Sequence, residues 1–316
     1  MKMEKIIDAA HGGEGWQGRE YDHLNDIGKL WSDCGVSAES DPLKRVLLRR
    51  PGKEIERLED PQNLLWLEKL NPEKARYQHD TLVDVYRQWG VNVELLEDHA
   101  ADLYPNLMYV RDSFTMTPQG AIVSRLASKI RSGEETIVSK QLSNMGVPIV
   151  ATAHANMLLE GPDIFIVNKN LVFLGVGIRT NYEAVHFVRY LLELQGFAEI
   201  HIIQTTYGCG HLDGVVSILN SSNAVIIPQR ASYQLYEVLK RHGFHIIELS
   251  NLKEIDENMA INFVALNEEN IVINKGAADS VKKYEAAGVN CMEVDLSEIT
   301  KGGGAVHCIT GVIKRG

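Results

Sequence analysis

The residues best suited to chemistry lie near the end of this 316-residue chain. Gly302, Gly303 and Gly304 are followed closely by His307 and Cys308. A glycine run lets the backbone approach a ligand closely, and a thiol held beside such a run is well placed to attack an electrophile. Many cysteines are only small buried apolar side chains, so the neighbouring glycines are what favour a nucleophile at Cys308.

Three polar clusters further upstream each come directly before an apolar run. They contain Asp112, then Glu160 with Asp163, and then His211 with Asp213. Carboxylates bind cations through charge-assisted hydrogen bonds, and an imidazole donates or accepts a proton near neutral pH. If the folded chain brings these clusters to Cys308, the result is a nucleophile, an acid/base group and a binding site for a cation.

Two histidines compete for the acid/base role. His307 is next to Cys308 in the chain, but neighbouring residues on a strand point to opposite faces. We therefore expect His211 to be the general acid and base. The other cysteines, Cys34, Cys209 and Cys291, are expected to be inert.

A substrate that carries a guanidinium group would suit this set of residues. This group is planar, permanently charged and donates hydrogen bonds in a fixed fork that matches carboxylates. Asp112 and Asp213 are the natural ligands, with Glu160 as a further carboxylate within reach. The central carbon is a weak electrophile, so its attack requires the thiolate of Cys308, whose pKa a bound cation would lower. His211 would protonate the leaving amine and later activate a water molecule.

The composition restricts the class of partner. Apolar residues make up 45% of the chain and charged residues 23%, and the formal net charge is −10. This is typical of a globular protein, and it disfavours nucleic acids and anionic membranes while suiting a small cationic substrate. The sequence has no export signal, no apolar run of membrane-spanning length and no paired cysteine spacing, which predicts a cytoplasmic location. A homodimer is the assembly we expect.

A metal site is the main competing chemistry. The pair His211 and Asp213 resembles half of a ligand set, and metal hydrolases also attack guanidinium groups. However, the sequence has no second histidine-rich cluster that would complete a binuclear site. The glycine run also lacks a following helix that could bind a phosphate group. We therefore predict no metal and no cofactor.

The elements that must position these residues recur along the chain. From residue 110 onward, an apolar strand, a polar turn, a second strand, an amphipathic helix and a short strand follow one another repeatedly. The turns at residues 168–170, 220–223 and 267–270 are rich in asparagine, which favours hairpins, and an earlier copy turns at residues 118–120. The spacing of about fifty residues is typical of repeat architectures. One of the helices is predicted over Tyr182–Leu194.

The first third of the chain fits one more repeat. A strand is predicted over Leu43–Leu48, a helix over most of residues 63–89 and a strand over residues 91–96. A last strand over residues 306–313 would pair with the first strand and close the ring, which removes exposed sheet edges. We predict an N-terminal extension, or arm, over residues 1–38 and a single catalytic domain over residues 39–316.

The positions of three aspartates connect the repeats to the chemistry. Asp112, Asp163 and Asp213 each stand about one strand length before a hairpin turn. A single aspartate in such a place is often only a turn cap. Three at matched positions favour a shared site, because equivalent positions in a ring of repeats face the same centre.

These motifs resemble the guanidino-group modifying, or pentein, superfamily, which includes arginine deiminases, dimethylarginine dimethylaminohydrolases and amidinotransferases. Residues 105–112, PNLMYVRD, are similar to the PNLxFTRD segment of arginine deiminases, residues 160–163, EGPD, to EGGD, and residues 211–213 to HLD. The resemblance implies an α/β fold, namely a five-bladed ββαβ propeller with a central active site. Two departures are Pro162 in place of a glycine, and Lys301 as the only cation near the glycine run, where arginine deiminases carry an arginine.

The resemblance also implies roles for individual residues. The catalytic residues would be Cys308, His211 and Glu160. The substrate-binding residues would be Asp112 and Asp213 at the guanidinium, Arg131 and Arg179 at an α-carboxylate, and also Asp163 and Asn106. An α-carboxylate ligand would make the substrate an amino acid such as arginine, and not agmatine.

The predicted function is therefore hydrolysis of the guanidino group of arginine or a close derivative through a covalent thiouronium, as in a deiminase or dimethylaminohydrolase. Two alternatives remain open. An amidinotransferase would keep the same site and pass the amidino group to an amine instead of water. A non-catalytic binding ring is the third reading, which the joint presence of Cys308, His211 and Glu160 disfavours.

Overall fold

A computed structural model describes residues 8–56 and 60–316 of the chain. In these residues, fifteen strands form five sheets of three strands each. Within each sheet the first two strands are antiparallel and the last two are parallel, and a helix connects the parallel pair. This arrangement confirms the predicted five-bladed ββαβ propeller.

The strands and helices follow the repeats that the sequence predicts. The strands are β1 (Leu43–Leu48), β2 (Asn92–Leu95), β3 (Phe114–Thr117), β4 (Gly120–Val123), β5 (Ile149–Thr152), β6 (Ile164–Asn168), β7 (Leu171–Val176), β8 (Glu199–Gln204), β9 (Val216–Ile218), β10 (Asn223–Ile226), β11 (His245–Glu248), β12 (Val264–Asn267), β13 (Asn270–Asn274), β14 (Asn290–Val294) and β15 (Gly311–Arg315). The helices are α1 (Pro72–Gln88), α2 (Glu134–Asn144), α3 (Tyr182–Leu194), α4 (Tyr233–Arg241), α5 (Leu252–Glu257), α6 (Ala278–Ala286) and α7 (Val306–Ile309).

The two ends of the chain close the ring. Strand β15 pairs with β1 in antiparallel fashion, with Val312 opposite Val46, and β2 pairs with the other edge of β1. The predicted strand over residues 306–313 is wrong in its first half, which forms α7 instead. The side chain of Asn262 accepts hydrogen bonds from the backbone N–H groups of His307 (2.9 Å) and Cys308 (3.4 Å), and this contact from another blade competes with the extended conformation.

Single helical turns lead into the first strands of the blades. One such turn precedes each of β3, β6 and β9, and α7 precedes β15 in the same way. Strands β3 and β9 are buried along their whole length, and β6 is buried in all but its last residue, which places the turns before them in the interior of the ring. The turns are Val110–Ser113, Gly161–Asp163 and Leu212–Gly214, and α7 packs against the first of them.

The N-terminal segment packs on the ring before residue 34, because the backbone N–H of Ser32 donates to the carbonyl of Gly146 at 2.9 Å and Ile27 contacts the core. Cys34, Val36 and Ala38 are buried, and Gly35 forms a bridge to Lys314 in the closing strand. These residues of the predicted N-terminal arm contact the propeller, and residues 1–7 of the arm lie outside the described part of the chain. Within the described ranges, none of the helices combines the length and the apolar character needed to cross a membrane.

Candidate active site

A cavity of about 160 Å³ opens where the helical turns meet. Six of the nine residues that the sequence singled out contribute to its wall, so segments that are distant in the sequence meet there. The wall is formed by Leu65, Asn106, Tyr109, Asp112, Arg131, Arg179, Gly210, His211, Gly302, Gly303, Gly304 and Cys308.

The thiol of Cys308 lies in α7 and is partly exposed to this cavity. The side-chain amide of Asn262 donates a hydrogen bond to its Sγ atom at 3.0 Å. The space beside the thiol admits only glycine at residue 304. A Cβ atom there would lie 2.8 Å from the Cβ of Cys308 and 2.7 Å from the ring of Tyr109. The glycine run therefore brings the backbone as close to the thiol as the sequence suggested.

Burial raises the pKa of the Cys308 thiol, and the negative charges of Asp213 and Asp112 raise it further. The resting thiol is consequently protonated at neutral pH. A cation that binds to these carboxylates would offset their effect and favour the thiolate.

His211 and Glu160 form a buried pair. Nε2 of His211 lies 2.6 Å from Oε2 of Glu160, and Glu160 is completely shielded from solvent. The backbone N–H of Ala127 also donates to Glu160 at 3.1 Å. The carboxylate thus orients the imidazole, whereas the sequence analysis had expected it to contact the guanidinium.

The pair is ionised in the resting site. Burial alone would raise the pKa of Glu160, but the hydrogen bond and charge of His211 outweigh it and lower this pKa. Burial alone would lower the pKa of His211, but the charge of Asp112 and the hydrogen bond to Glu160 raise it. His211 is therefore an imidazolium at neutral pH and can donate a proton.

Asp112 offers an unpaired carboxylate oxygen next to the cavity. Its Oδ2 accepts a hydrogen bond from Nη1 of Arg131. Its Oδ1 is buried and has no hydrogen-bond partner among the described residues. An oxygen left in this state is costly unless a ligand satisfies it.

Arg131 and Arg179 both line the cavity, but they differ in how many of their N–H groups are free. Arg131 is buried, and its Nε and Nη2 groups donate to Glu134 at 3.1 and 2.7 Å. Arg179 is partly exposed and donates through Nη1 to Glu160 at 3.3 Å. Arg131 is thus mainly a counter-ion for buried carboxylates, whereas Arg179 retains free donors.

Asp163 does not reach the cavity wall. Its Oδ2 accepts from the hydroxyl of Thr180 at 2.6 Å and its Oδ1 from the backbone N–H of Leu212 at 2.9 Å, so both oxygens hold protein groups. The sequence predicts that Asp163 contacts the substrate. In the structure it lies behind His211 and supports it, because Leu212 is the residue that follows His211. The rigid Pro162 fits here, because it occupies the first turn of a short helix.

Asp213 lies beside the cavity, whereas Asn106 lies in its wall. Asp213 is buried, and its Oδ2 lies 2.8 Å from Nδ1 of His307, which places it beside the cavity and not in its wall. Asn106 lines the cavity, but its side chain bonds to the indole of Trp66 and to the carbonyl of Leu64, both at 2.8 Å. Asn106 thereby anchors the segment that contributes Leu65 to the wall.

The sequence analysis missed four residues of the site, namely Asn262, His307 as a ligand of Asp213, Glu134 and Tyr109. A signal existed for Asn262, because it stands two residues before β12 just as Asp112 stands two residues before β3. The hydroxyl of Tyr109 donates to the carbonyl of Ile299 at 2.7 Å, next to the glycine run. No local pattern marks Tyr109, whose partner lies on another segment, whereas Glu134 bonds to Arg131 only three residues away.

The cavity carboxylates suit an organic cation better than a metal ion. Ligand atoms of Asp112, Glu160 and His211 lie within 4.8 Å of one another, which is close enough for a shared ion. However, Arg131 and Arg179 already donate to these two carboxylates. Two guanidinium groups so near would repel a divalent cation, whereas a single planar charge can use the open oxygen of Asp112.

Comparisons with known proteins identify relatives over most of the chain. The model of a family described as N,N dimethylarginine dimethylhydrolase, eukaryotic, matches residues 62–315. The N(G),N(G)-dimethylarginine dimethylaminohydrolase of Mycobacterium tuberculosis is 26% identical over 75% of this chain and 74% of that protein. The enzyme of the same name from Pseudomonas aeruginosa is 24% identical over 84% of this chain and 98% of that protein.

Solved structures show the same fold. The dimethylaminohydrolase of Pseudomonas aeruginosa in complex with citrulline superposes with a TM-score of 0.71 at 22% identity, over 86% of this chain and 100% of that chain. An amidinotransferase of Microseira wollei from a saxitoxin biosynthetic pathway gives a TM-score of 0.74 at 16% identity, over 89% of this chain and 97% of that chain. The five-bladed ring, the match of the family model and these relatives agree with one another. The chain therefore belongs to the N,N-dimethylarginine dimethylhydrolase family of the pentein superfamily.

Proposed function

We propose that this protein is a cysteine hydrolase acting on the guanidino group of arginine or a close derivative. The observation that carries the proposal is one cavity that holds the Cys308 thiol, the His211 imidazolium and the unpaired oxygen of Asp112. A nucleophile, a proton donor and an anion in a single small space are what this hydrolysis requires. The names of the relatives from Mycobacterium tuberculosis and Pseudomonas aeruginosa support the same class of substrate.

Binding is the first step. The substrate guanidinium donates to the open oxygen of Asp112, and its charge is balanced by this carboxylate and by Asp213 nearby. The bound cation offsets the two charges that raise the pKa of Cys308, so the thiol loses its proton to solvent. The nucleophile is therefore formed only when the substrate is present.

Attack on the central guanidinium carbon follows. The thiolate of Cys308 forms a C–S bond, and the carbon becomes tetrahedral. His211 gives its proton to the departing nitrogen as the C–N bond breaks, which releases ammonia or an alkylamine and leaves a covalent thiouronium. Glu160 holds the imidazole in place throughout this proton transfer.

Water completes the reaction. Neutral His211 accepts a proton from a water molecule, and the resulting hydroxide adds to the thiouronium carbon. The C–S bond then breaks, the Cys308 thiolate leaves, and a ureido product such as citrulline is released. The product gives up the proton of its added hydroxyl group and the Cys308 thiolate takes up a proton, so the thiol and the His211 imidazolium are restored for the next substrate.

The far end of the substrate is assigned to Arg179. Its guanidinium is partly exposed and keeps free N–H groups, which suits an α-carboxylate. Arg131 is occupied by Glu134 and Asp112, so its proposed role is to hold Asp112 in position. This division of labour differs from the expectation that both arginines bind the carboxylate.

A substrate panel tests the proposal. Purified protein is incubated with arginine, methylated arginines, agmatine or guanidinoacetate, and the ureido product is quantified, with and without glycine as an amine acceptor. We expect ureido product from arginine or a methylated arginine, and none from Cys308→Ser. The control Cys291→Ser changes a half-buried cysteine remote from the cavity and should retain activity.

Three other results would contradict the proposal. Transfer of the amidino group to glycine with little ureido product would identify an amidinotransferase. Retained turnover in Cys308→Ser would remove the nucleophile from the mechanism. Preference for agmatine over arginine would reject the carboxylate role of Arg179.

A further inference from the structure

A second histidine is buried beside the cavity and has no part in the mechanism above. His307 is only 4% exposed and immediately precedes Cys308. Its Nδ1 lies 2.8 Å from Oδ2 of Asp213, and its Nε2 lies 3.8 Å from Oε2 of Glu39. Both ring nitrogens thus face carboxylate oxygens from different segments of the ring.

We propose that His307 is a positioning residue that remains an imidazolium inside the protein and keeps Asp213 ionised and fixed beside the Cys308 thiol. The functional part of this assignment rests on the proposed guanidinium-binding role of Asp213. The charge state of His307 itself does not depend on that role.

The positions of the two carboxylates require a proton on both nitrogens of the His307 imidazole. A neutral imidazole carries one N–H group and one lone pair. With a neutral ring, the lone pair would face either Asp213 or Glu39, which is repulsive in a buried site. Only the imidazolium donates toward both carboxylates, and a buried charge of this kind is tolerated when it is paired.

Other charged groups complete the surroundings of His307. Arg111, from the turn before β3, is buried and places its Nη2 atom 3.3 Å from Oε1 of Glu39. The charges of neighbouring side chains thus alternate in sign along the series Asp213, His307, Glu39 and Arg111. Arg315, from β15, also acts on Glu39, while its Nη1 donates to the carbonyls of Asp41 and Ala265.

The electrostatics agree with this arrangement. Burial alone would lower the pKa of His307, but the hydrogen bond to Asp213 and the nearby carboxylate of Glu39 outweigh it and raise this pKa. Burial alone would raise the pKa of Asp213, but the hydrogen bond and charge of His307 lower it. A raised pKa means that His307 keeps its charge to a higher pH than a free imidazole and loses it as the pH rises through the folded-state value.

The charge of His307 favours the ionised form of Asp213. Oδ2 of Asp213 is held by His307, which leaves Oδ1 to a ligand. If His307 loses its proton or its partner Glu39, Asp213 becomes a less well compensated buried anion and takes up a proton more readily. The substrate guanidinium would then lose one of its two anionic partners, so binding should weaken more than the chemical step.

Nuclear magnetic resonance of the full chain with ¹⁵N-labelled histidine tests the charge directly, without substrate. The signals of His307 are assigned by their loss in His307→Gln and followed as the pH is raised. We expect both ring nitrogens of His307 to be protonated at pH 8, and Glu39→Gln to lower the titration midpoint by about one pH unit. Glu183→Gln, an exposed residue of α3, is the matched control and should not shift it.

Enzyme kinetics test the positioning role. For Glu39→Gln, the KM for the guanidino substrate should rise about tenfold near the upper end of the pH range, with kcat changed less than about twofold, and lowering the pH should restore the KM. A merely structural defect would not be rescued by pH. Thermal unfolding confirms that the variants are folded.

The outcomes separate this inference from the proposed function. A neutral His307 at pH 7, or a midpoint unaffected by Glu39→Gln, overturns the inference whether or not the protein is active. A charged His307 with an unchanged KM in Glu39→Gln overturns its positioning role. Absence of any guanidino activity in the wild-type protein, with His307 charged, rejects the proposed function and leaves the charge assignment standing.

Discussion

The first strand of each blade has polar side chains at its hairpin end and at its cavity end. The two ends differ in how far along the sequence the hydrogen-bond partners of these side chains lie. At the hairpin end, Oδ1 of Asn220 accepts hydrogen bonds from the backbone N–H groups of Ser222 and Asn223, two and three residues away. At the cavity end, His211 and Glu160 are 51 residues apart in the sequence. These two hairpin contacts can form within one turn, although the Asn220 amide also donates to the carbonyl of Glu268 in the next blade at 3.3 Å. The cavity contact exists only after neighbouring blades have packed.

This difference predicts different consequences of substitution. A locally bonded turn residue stabilises the blade that contains it and has no access to substrate. A residue bonded across blades positions a reactive group, because the rest of the ring holds the fold. Substitutions at the cavity end should therefore change activity more than stability, and those at the hairpin end should do the reverse.

The largest effect is expected when the cross-blade pair is broken. Glu160→Gln removes the anion that orients His211, and we expect kcat to fall by about a thousandfold. Because Glu160 raises the pKa of His211, the imidazolium is lost at lower pH in the variant. The alkaline limb of the pH profile of kcat should therefore move to lower pH, which steady-state kinetics from pH 6 to 10 would detect.

A surface pair provides the control for Glu160. Glu199 lies 2.6 Å from the ring of His201, the same separation as in the buried pair, but the two residues are only two positions apart. Glu199→Gln should leave kcat and its pH profile unchanged. An equal loss in both variants would mean that a histidine–glutamate contact matters only for folding.

The next largest effect is expected at the open carboxylate. Asp112→Asn removes the negative charge whose Oδ1 faces the ligand, and we expect KM for the guanidino substrate to rise about a hundredfold, or about 3 kcal/mol. Asp163→Asn is the matched change behind the cavity wall, where both oxygens are bonded to protein. It should lower the melting temperature and leave KM nearly unchanged, and the reverse pattern would exchange the roles of the two aspartates.

A smaller effect is expected at Asn262, which donates to the sulfur of Cys308. This donor stabilises the thiolate, so Asn262→Ala should raise the pKa of the thiol by about one unit and slow its alkylation by iodoacetamide about tenfold at a fixed pH. The pH dependence of the alkylation rate measures this shift without any substrate. An unchanged alkylation profile would show that the hydrogen bond does not act on the thiolate.

The comparison also explains what the sequence could and could not predict. The hairpins, the repeat of about fifty residues and the bounds of α3 follow from patterns within a few residues of one another. The convergence of Cys308, His211 and Asp112 followed from the matched phase of the repeats. These features depend on local chemistry and on the regularity of the ring.

Other features depend on partners that no local pattern indicates. Asp163 and Asp213 share the phase of Asp112, yet neither forms the cavity wall. Both oxygens of Asp163 hold protein groups, and His307 holds Oδ2 of Asp213. Residues 306–309 are apolar enough to suggest a strand, but the amide of Asn262 folds them into a helical turn. Whether a polar group is free for a ligand is decided by its cross-blade neighbours.

The smallest effect is expected at the hairpin end, where it gives the comparison its sharpest control. Asn220→Ala removes the side-chain acceptor for two backbone N–H groups of an exposed turn and the amide that donates to the carbonyl of Glu268. Each such bond contributes modestly because water can replace it, so we expect the free energy of unfolding to fall by about 1 kcal/mol. Denaturant unfolding measures this loss, while kcat, KM and the alkylation rate of Cys308 should match the wild type. Since Asn220 and Asn262 are the same residue type in neighbouring blades, a loss of activity in Asn220→Ala would mean that the hairpin end and the cavity end are not independent.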